Sequence, residues 1–170
     1  FIKKNLNKES TNYAILRYFN VAGASDSARI GQISRGDQLF KNLSIAAMKI
    51  RPKINIYGGD YKTKDGTCIR DYIHVCDLAN AHVLGLKKLL KGKKEEKAYP
   101  YVYNLGNGKG YSIMDVIKAA ENIVGKQLTI KFTKRRDGDP PILIASSEKA
   151  KNELGWIPKY QNLEEIIQHA

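Results

Sequence analysis

A chain of 170 residues, 42% of them apolar, is long enough to bury one hydrophobic core and short for a large two-domain enzyme. No stretch approaches the roughly 20 consecutive apolar residues of a membrane span, and residues 1–10 lack a signal peptide's apolar run, so the sequence reads as soluble and cytoplasmic, with no membrane partner. The formal charge of +12 rests on 22 lysines and seven arginines, but the lysine-rich run at 87–97 has no interleaved aromatic residue to stack on bases; a solvated face, with no nucleic acid partner, is the reading.

The chain opens on Phe1, and residues 1–19 read as the tail of a helix passing through a polar turn into a strand, as if starting within a domain. Residues 13–19 (YAILRYF) are apolar and aromatic enough for a buried strand, which VAGAS continues as a loop. Residues 25–37 show little periodicity. Leu39, Leu43, Ala46, Ala47 and Ile50 then mark one face of a helix.

Residues 54–57 (INIY) predict a short strand stopped by Gly58 and Gly59, after which DYKTKDGT leads into the compact run IRDYIHV. Asp77 is a candidate N-cap for a helix over 78–90 that Gly92 ends. YVYNLG is a strand followed by the glycine-rich NGKG, and Ser112 with Asp115 forms a capping box for a helix that Gly125 closes. LTIKF (128–132) is the next strand. A proline-rich loop RRDGDPP, the apolar ILIA and two short helices complete the chain, the first capped by Ser146 or Ser147 and ending at Gly155, the second capped by Asn162.

Cys68 and Cys76 lie eight residues apart with no further Cys or His at ligand spacing, which predicts neither a disulfide framework nor a metal site. A phosphate site is better served by arginine, whose planar fork donates two parallel hydrogen bonds. Arg70 in GTCIRDYIHV and Arg136 in KRRDGDPP sit beside turn formers and away from the lysine-rich helix. Each by itself also reads as half of a surface ion pair with a neighbouring Asp.

Together the stretches YFNVAGA, IYGGDYKTKDGTCIRDYIHV, YNLGNGKGYS and RRDGDPP resemble, in order and separation, those of the UDP-glucose 4-epimerases, members of the extended short-chain dehydrogenase group. The resemblance runs from about Tyr13 to the end of the chain and is most specific over 58–75. It implies an α/β fold: the C-terminal substrate-binding domain plus the last strand and helices of an NAD-binding Rossmann fold. The implied division is 1–24 as the end of the Rossmann part and 25–170 as the UDP-sugar region, with some elements packing back on the Rossmann sheet. The implied reaction is oxidation at the sugar C4 by NAD, rotation of the 4-keto sugar and hydride return to the opposite face.

Carried over residue by residue, the resemblance places Phe19 by the nicotinamide end of NAD and Asn20 on the substrate. Asn42 and Leu43 fall at a phosphate-facing helix start, where backbone N–H groups and the helix dipole favour an anion. Asn55, Ile56 and Tyr57 edge the uracil, although a plain core strand is an equal reading. Arg70 and Arg136 grip the diphosphate from two sides, Asp137 and Gly138 belong to the same substrate loop, and Asp139 sits near the ribose hydroxyls. Leu143 stands where some members carry Tyr and others a smaller residue at the wall of the sugar pocket, which leaves N-acetylated sugars open.

His74 and Tyr72 read as a structural histidine and a core aromatic, and of Asp71 and Asp77 one supports Arg70 while the other caps a helix. NGKG lacks the glycine spacing and downstream acid of a dinucleotide site. A Tyr-x-x-x-Lys pair and an N-terminal glycine motif are absent from the sequence, so no catalytic residue is assigned and the chain by itself is expected to be inactive and to form no native dimer. In the parent enzyme both NAD and the homodimer contact would belong mainly to the other half. Two rivals stand beside this reading: another UDP-sugar enzyme of the superfamily (dehydratase, decarboxylase or a different epimerase), and a basic polyanion-binding module.

Overall fold

The computed structural model describes residues 12–31, 38–48, 50, 53–91 and 100–170. The expected helix tail at the start, Gly92, residues 32–37 of the 25–37 linker and 92–99 of the 91–100 linker lie outside them. Nine short strands and five helices are present among the described residues, and most strand pairs are parallel, as the α/β expectation requires.

Strand β1 (Tyr13–Tyr18) runs parallel to β6 (Pro100–Leu105), with Tyr13 opposite Pro100 and Tyr18 opposite Leu105. β2 (Asn20–Ala22) pairs with β5 (Tyr72–His74), and β3 (Ile54–Tyr57) with β8 (Ile130–Thr133). β4 (Ile69–Arg70) lies between antiparallel β7 (Tyr111–Ser112) and parallel β9 (Ile142–Leu143). The helices are α1 (Leu39–Ala47), α2 (Val75–Lys91), α3 (Ile113–Val124), α4 (Glu148–Leu154) and α5 (Leu163–Gln168).

Two apolar clusters hold these elements. One joins β6, β5, α2 and α4 through Ile73, Leu78, Tyr103, Leu105, Ala150 and Trp156; the other joins α1, α3, α5 and β3 through Phe40, Leu43, Ile54, Ile56, Ile117 and Ile166. The indole of Trp156 is fully buried, and its N–H donates to the Asp77 carbonyl at 3.0 Å, so the polar tip of the largest core side chain is satisfied.

Local signals behaved as expected where the backbone is the partner. Ser112 and Asp115 exchange hydrogen bonds in a capping box and Gly125 closes α3 in the left-handed conformation. Asn162 Oδ1 accepts from the N–H groups of Glu164 and Glu165 at the start of α5. Five expectations are corrected. VAG is not all loop, because Asn20–Ala22 finds a strand partner in β5. The 13–18 strand is buried only at Tyr13, with Arg17 and Tyr18 exposed. Ile50 is 66% exposed, and Phe40 takes its place on the buried face of α1.

The fourth correction concerns Asp77, which sits inside the first turn of α2 and does not cap it; the helix begins at Val75. Its carboxylate accepts from the backbone N–H groups of Lys159 (2.8 Å) and Tyr160 (2.9 Å), tying the C-terminal segment to α2. Fifth, Ser147 stands at the N-cap of α4 with no cap bond, since its hydroxyl donates to the Gly106 carbonyl at 2.7 Å.

His74 is a structural histidine, fully buried and packed against Tyr160 with ring centroids 4.0 Å apart and planes tilted by 32°. Its Nδ1 accepts from the Cys76 N–H at 3.1 Å, which places the proton of the neutral ring on Nε2, facing His169 Nδ1 at 3.3 Å. Burial, and then the charge of His169, hold its pKa below 6.5, while Asp77, Asp26 and Glu165 pull it back up. The unfolded chain therefore binds a proton that the folded chain refuses, so stability present above pH 6.5 falls as the pH drops through that value. Urea unfolding across that range should show this slope, and His74→Gln should reduce it; an unchanged slope would remove His74 as its source.

Candidate functional site

A cleft of about 790 Å³ opens between the strand ends of β1 and β2, the first turn of α1, β3, β4 and the loop after β8. Parallel strands place it there, because their C-terminal ends leave loops on one side where side chains converge. Phe19, Asn20, Asn42, Asn55, Ile56, Tyr57, Arg70, Arg136 and Asp139 all line it.

Arg70 is the decisive residue. It is only 6% exposed, yet it sits in the cleft wall, held by Nη1, which donates to the carbonyls of Ile69 (2.9 Å) and Pro140 (2.8 Å). Its Nη2 lies 3.6 Å from Asp139 Oδ1 and, among the described residues, is buried without a hydrogen-bond acceptor. A buried cationic donor without an acceptor is costly, and an anion in the cleft would relieve that cost.

In the same lining, the Arg136 guanidinium lies 3.9 Å from the centre of the Tyr57 ring, a cation–π contact. Asp137 and Gly138 form the tip of the turn between them and Asp139. Asp139 donates its N–H to the Arg136 carbonyl at 3.4 Å, and Gly138 takes φ 81°, the left-handed geometry that a turn with glycine at its third position demands. The two tip residues are exposed and lie outside the cleft lining.

The remaining expected positions divide. The Asn42 N–H already donates to the Gln38 carbonyl at 2.9 Å, and the Leu43 side chain is 3% exposed in the core, so the residues at the start of α1 that line the cleft are its N-cap Gln38 and Leu39, Phe40 and Asn42. Ile56 is a core residue at 1% exposure that reaches the cleft edge. Leu143, in register with Arg70 on β9, lines a separate shallow hollow with Arg17, Tyr18, Phe19 and Asn20. Asn20 and Phe19 belong to both hollows.

Asp71 does not support Arg70, as the sequence had suggested; Asp139 has that place. Fully buried, Asp71 accepts from the N–H groups of Asn107 and Gly108, each at 2.9 Å, and of Ala145 at 3.1 Å. Burial pushes its carboxyl up, against the pull of those three donors. The same bonds explain why NGKG is no phosphate cradle: its first two N–H groups already face a carboxylate. Tyr72 packs edge-on against Phe40 at 5.0 Å, and burial pushes its hydroxyl up, which keeps it protonated. Among the described residues, no group of acidic, His and Cys side chains is arranged to hold a metal, and no helix is long and apolar enough to cross a membrane. Gln38, Cys68 and Cys76, which the sequence does not mark as cleft residues, also line it; Cys68 lies within GTCIRDYIHV beside Arg70, and the other two lie outside the quoted motifs.

A family model described as the NAD-dependent epimerase/dehydratase family matches residues 2–106. The chain belongs to the NAD-dependent epimerase/dehydratase family. Among this family's members, the UDP-glucose 4-epimerase of Halalkalibacterium halodurans is 46% identical over 159 residues, 93% of this chain and 46% of that protein. The solved UDP-glucose 4-epimerase of Bifidobacterium longum, in complex with NAD+ and UDP, superposes with a TM-score of 0.86 at 36% identity, over 95% of this chain and 47% of the other. The UDP-Glc/GlcNAc 4-epimerase of Campylobacter jejuni superposes with a TM-score of 0.71 at 39% identity, over 94% of this chain and 47% of the other. The chain spans about half the length of the curated relatives it matches.

Proposed function

We propose that this chain is the UDP-sugar-gripping part of a UDP-glucose 4-epimerase, with residues 25–170 forming the substrate region and 1–24 the end of the nucleotide-binding part. The observation that carries this reading is the buried Arg70 Nη2, held without an acceptor in the wall of a cleft that Arg136 also lines. Two arginine forks facing one cleft suit a diphosphate, which offers paired anionic oxygens. Asp139, 35% exposed at its side chain, is placed to accept ribose hydroxyls while it offsets the Arg70 charge. Asn55 and Tyr57 edge a base, Asn20 reaches the sugar, and Leu143 bounds its far wall.

Such a grip serves epimerisation because the diphosphate stays fixed while the oxidised sugar turns about it. NAD, when bound, supplies the hydride acceptor for that oxidation and the hydride for its reversal. The residues present fit only one end of it: Phe19, half-buried at the mouth of β1, offers an apolar wall, and the glycine-rich loop after β6 is already bonded to Asp71. The phosphate cradle, the proton-transferring pair and the dimer contact belong to the remainder of the enzyme. Ala22 of the first part joins one apolar cluster and Leu16 and Val21 pack against the other, both drawn otherwise from residues 39–167, so elements of the C-terminal region pack back on the nucleotide-binding part.

Calorimetric titration of the 170-residue chain with UDP should give saturable binding, and single-stranded DNA should give none. A missing UDP isotherm, or tight DNA binding lost steeply with added salt, would overturn the reading in favour of a polyanion module. The purified chain, free of host enzyme and supplied with NAD, is expected not to interconvert UDP-glucose and UDP-galactose; formation of product would show that the chain carries its own chemistry.

A further inference from the structure

Two consecutive arginines leave β8 on opposite sides. Arg136 turns into the cleft and settles on Tyr57, whereas Arg135 takes no part in the lining. Arg135 donates from Nε to Asp60 Oδ1 at 2.6 Å and from Nη2 to the Asp60 carbonyl, and its guanidinium carbon stands 4.2 Å from the centre of the Tyr61 ring. Three contacts of different kinds therefore fix one side chain.

The backbone is shaped to permit them. Gly58 follows Tyr57 with φ 87°, and a Cβ at Gly58 would lie 2.5 Å from the Tyr61 ring and 2.7 Å from Arg135 Cγ. The glycine thus lets an aromatic ring and an arginine stem meet directly behind the Tyr57–Arg136 stack. Tyr61 is 5% exposed and its own N–H donates to the Gly66 carbonyl at 2.9 Å, so the ring is a fixed platform.

We propose that Arg135, with Asp60 and Tyr61, is a positioning clamp: it holds the loop that carries Arg136 and Asp139 over the cleft, so that the second arginine is in place before the diphosphate arrives. The proposal rests on the nucleotide-sugar reading above. The Asp60 and Arg135 side chains are 76% and 42% exposed, and an ion pair that open to water adds little to stability. Its value is orientation. The far end of the loop is tied by Arg70 through the Pro140 carbonyl and by the Ile69 N–H through the Pro141 carbonyl, so Arg135 supplies the tie at the near end. Without it, binding must also order the loop, and that ordering subtracts from affinity.

The test is a cycle of UDP titrations with unfolding midpoints measured alongside. Arg135→Ala should weaken UDP binding about fivefold and Asp60→Ala about threefold, with little change in midpoint. In an Arg136→Ala background, Arg135→Ala should cost nothing further, because the clamp acts through Arg136; a merely structural role would give the same loss in both backgrounds. Lys151→Ala, which removes the exposed Lys151–Glu148 pair on α4, serves as the control and should leave affinity unchanged. Unchanged affinity in Arg135→Ala and Asp60→Ala, or equal losses with and without Arg136, would overturn the clamp while leaving the UDP site standing. Absence of UDP binding by the unsubstituted chain would overturn both.

Discussion

Arg70→Met is expected to weaken UDP binding on the order of 100-fold, the largest loss of any single cleft substitution. Methionine keeps much of the apolar stem and removes the fork. What is lost is a cation at 6% exposure whose Nη2 is ion-paired with Asp139 at 3.6 Å but makes no hydrogen bond among the described residues, so its interaction with a diphosphate is poorly screened by water. Truncating one partner of a desolvated, hydrogen-bonded charge pair costs roughly 2–5 kcal/mol. Arg70→Lys keeps the charge as a single point and cannot reach both flanking carbonyls and the ligand, so a loss of about tenfold is expected. Calorimetry at fixed salt measures both, and an affinity within about twofold of the unsubstituted chain in Arg70→Met would sink the assignment of Arg70 to the ligand.

The second large effect is on stability. Asp71→Asn is expected to destabilise the fold by about 3 kcal/mol, because it preserves shape while placing an amide group against N–H donors. Asp71 accepts from Asn107 on one oxygen and from Gly108 and Ala145 on the other, so either orientation of the new amide leaves at least one buried N–H facing another donor. The two segments at 107–108 and 145 lose part of their common acceptor. Urea unfolding of the 170-residue chain reads the change directly, and a loss below about 1 kcal/mol would mean that the three bonds add little net stability beyond what water would provide. UDP affinity, measured in the folded population, should change far less than in Arg70→Met.

These two aspartate and arginine neighbours show how far the sequence could be read. Arg70 was picked out by its turn context and by the resemblance of GTCIRDYIHV, and it lines the cleft. Asp71, next to it, was paired with it for the same reason of proximity, and that was wrong. Adjacent residues here alternate in direction, so Arg70 looks to the cleft and to Pro140, while Asp71 looks to loops 36 to 74 residues away. Arg135 and Arg136 repeat the lesson: Arg136 was legible through its motif, and Arg135 passed as loop because its partners, Asp60 and Tyr61, are about 75 residues distant.

Sequence by itself determined what local backbone chemistry decides. The capping box of Ser112 and Asp115, the left-handed closure at Gly125 and the Asn162 cap each depend on partners within a few residues, and each stands as read. Order and spacing of the longer motifs carried the family. Tertiary structure alone decided where side chains with several possible partners went: Asp77 to the C-terminal segment and not to its own helix, Ser147 to Gly106, and Arg70 beside Asp139 with one donor left without an acceptor among the described residues. The physical reason is that a polar side chain has many acceptors within its own reach along the chain, and burial, which only the fold supplies, selects the one that cannot be replaced by water.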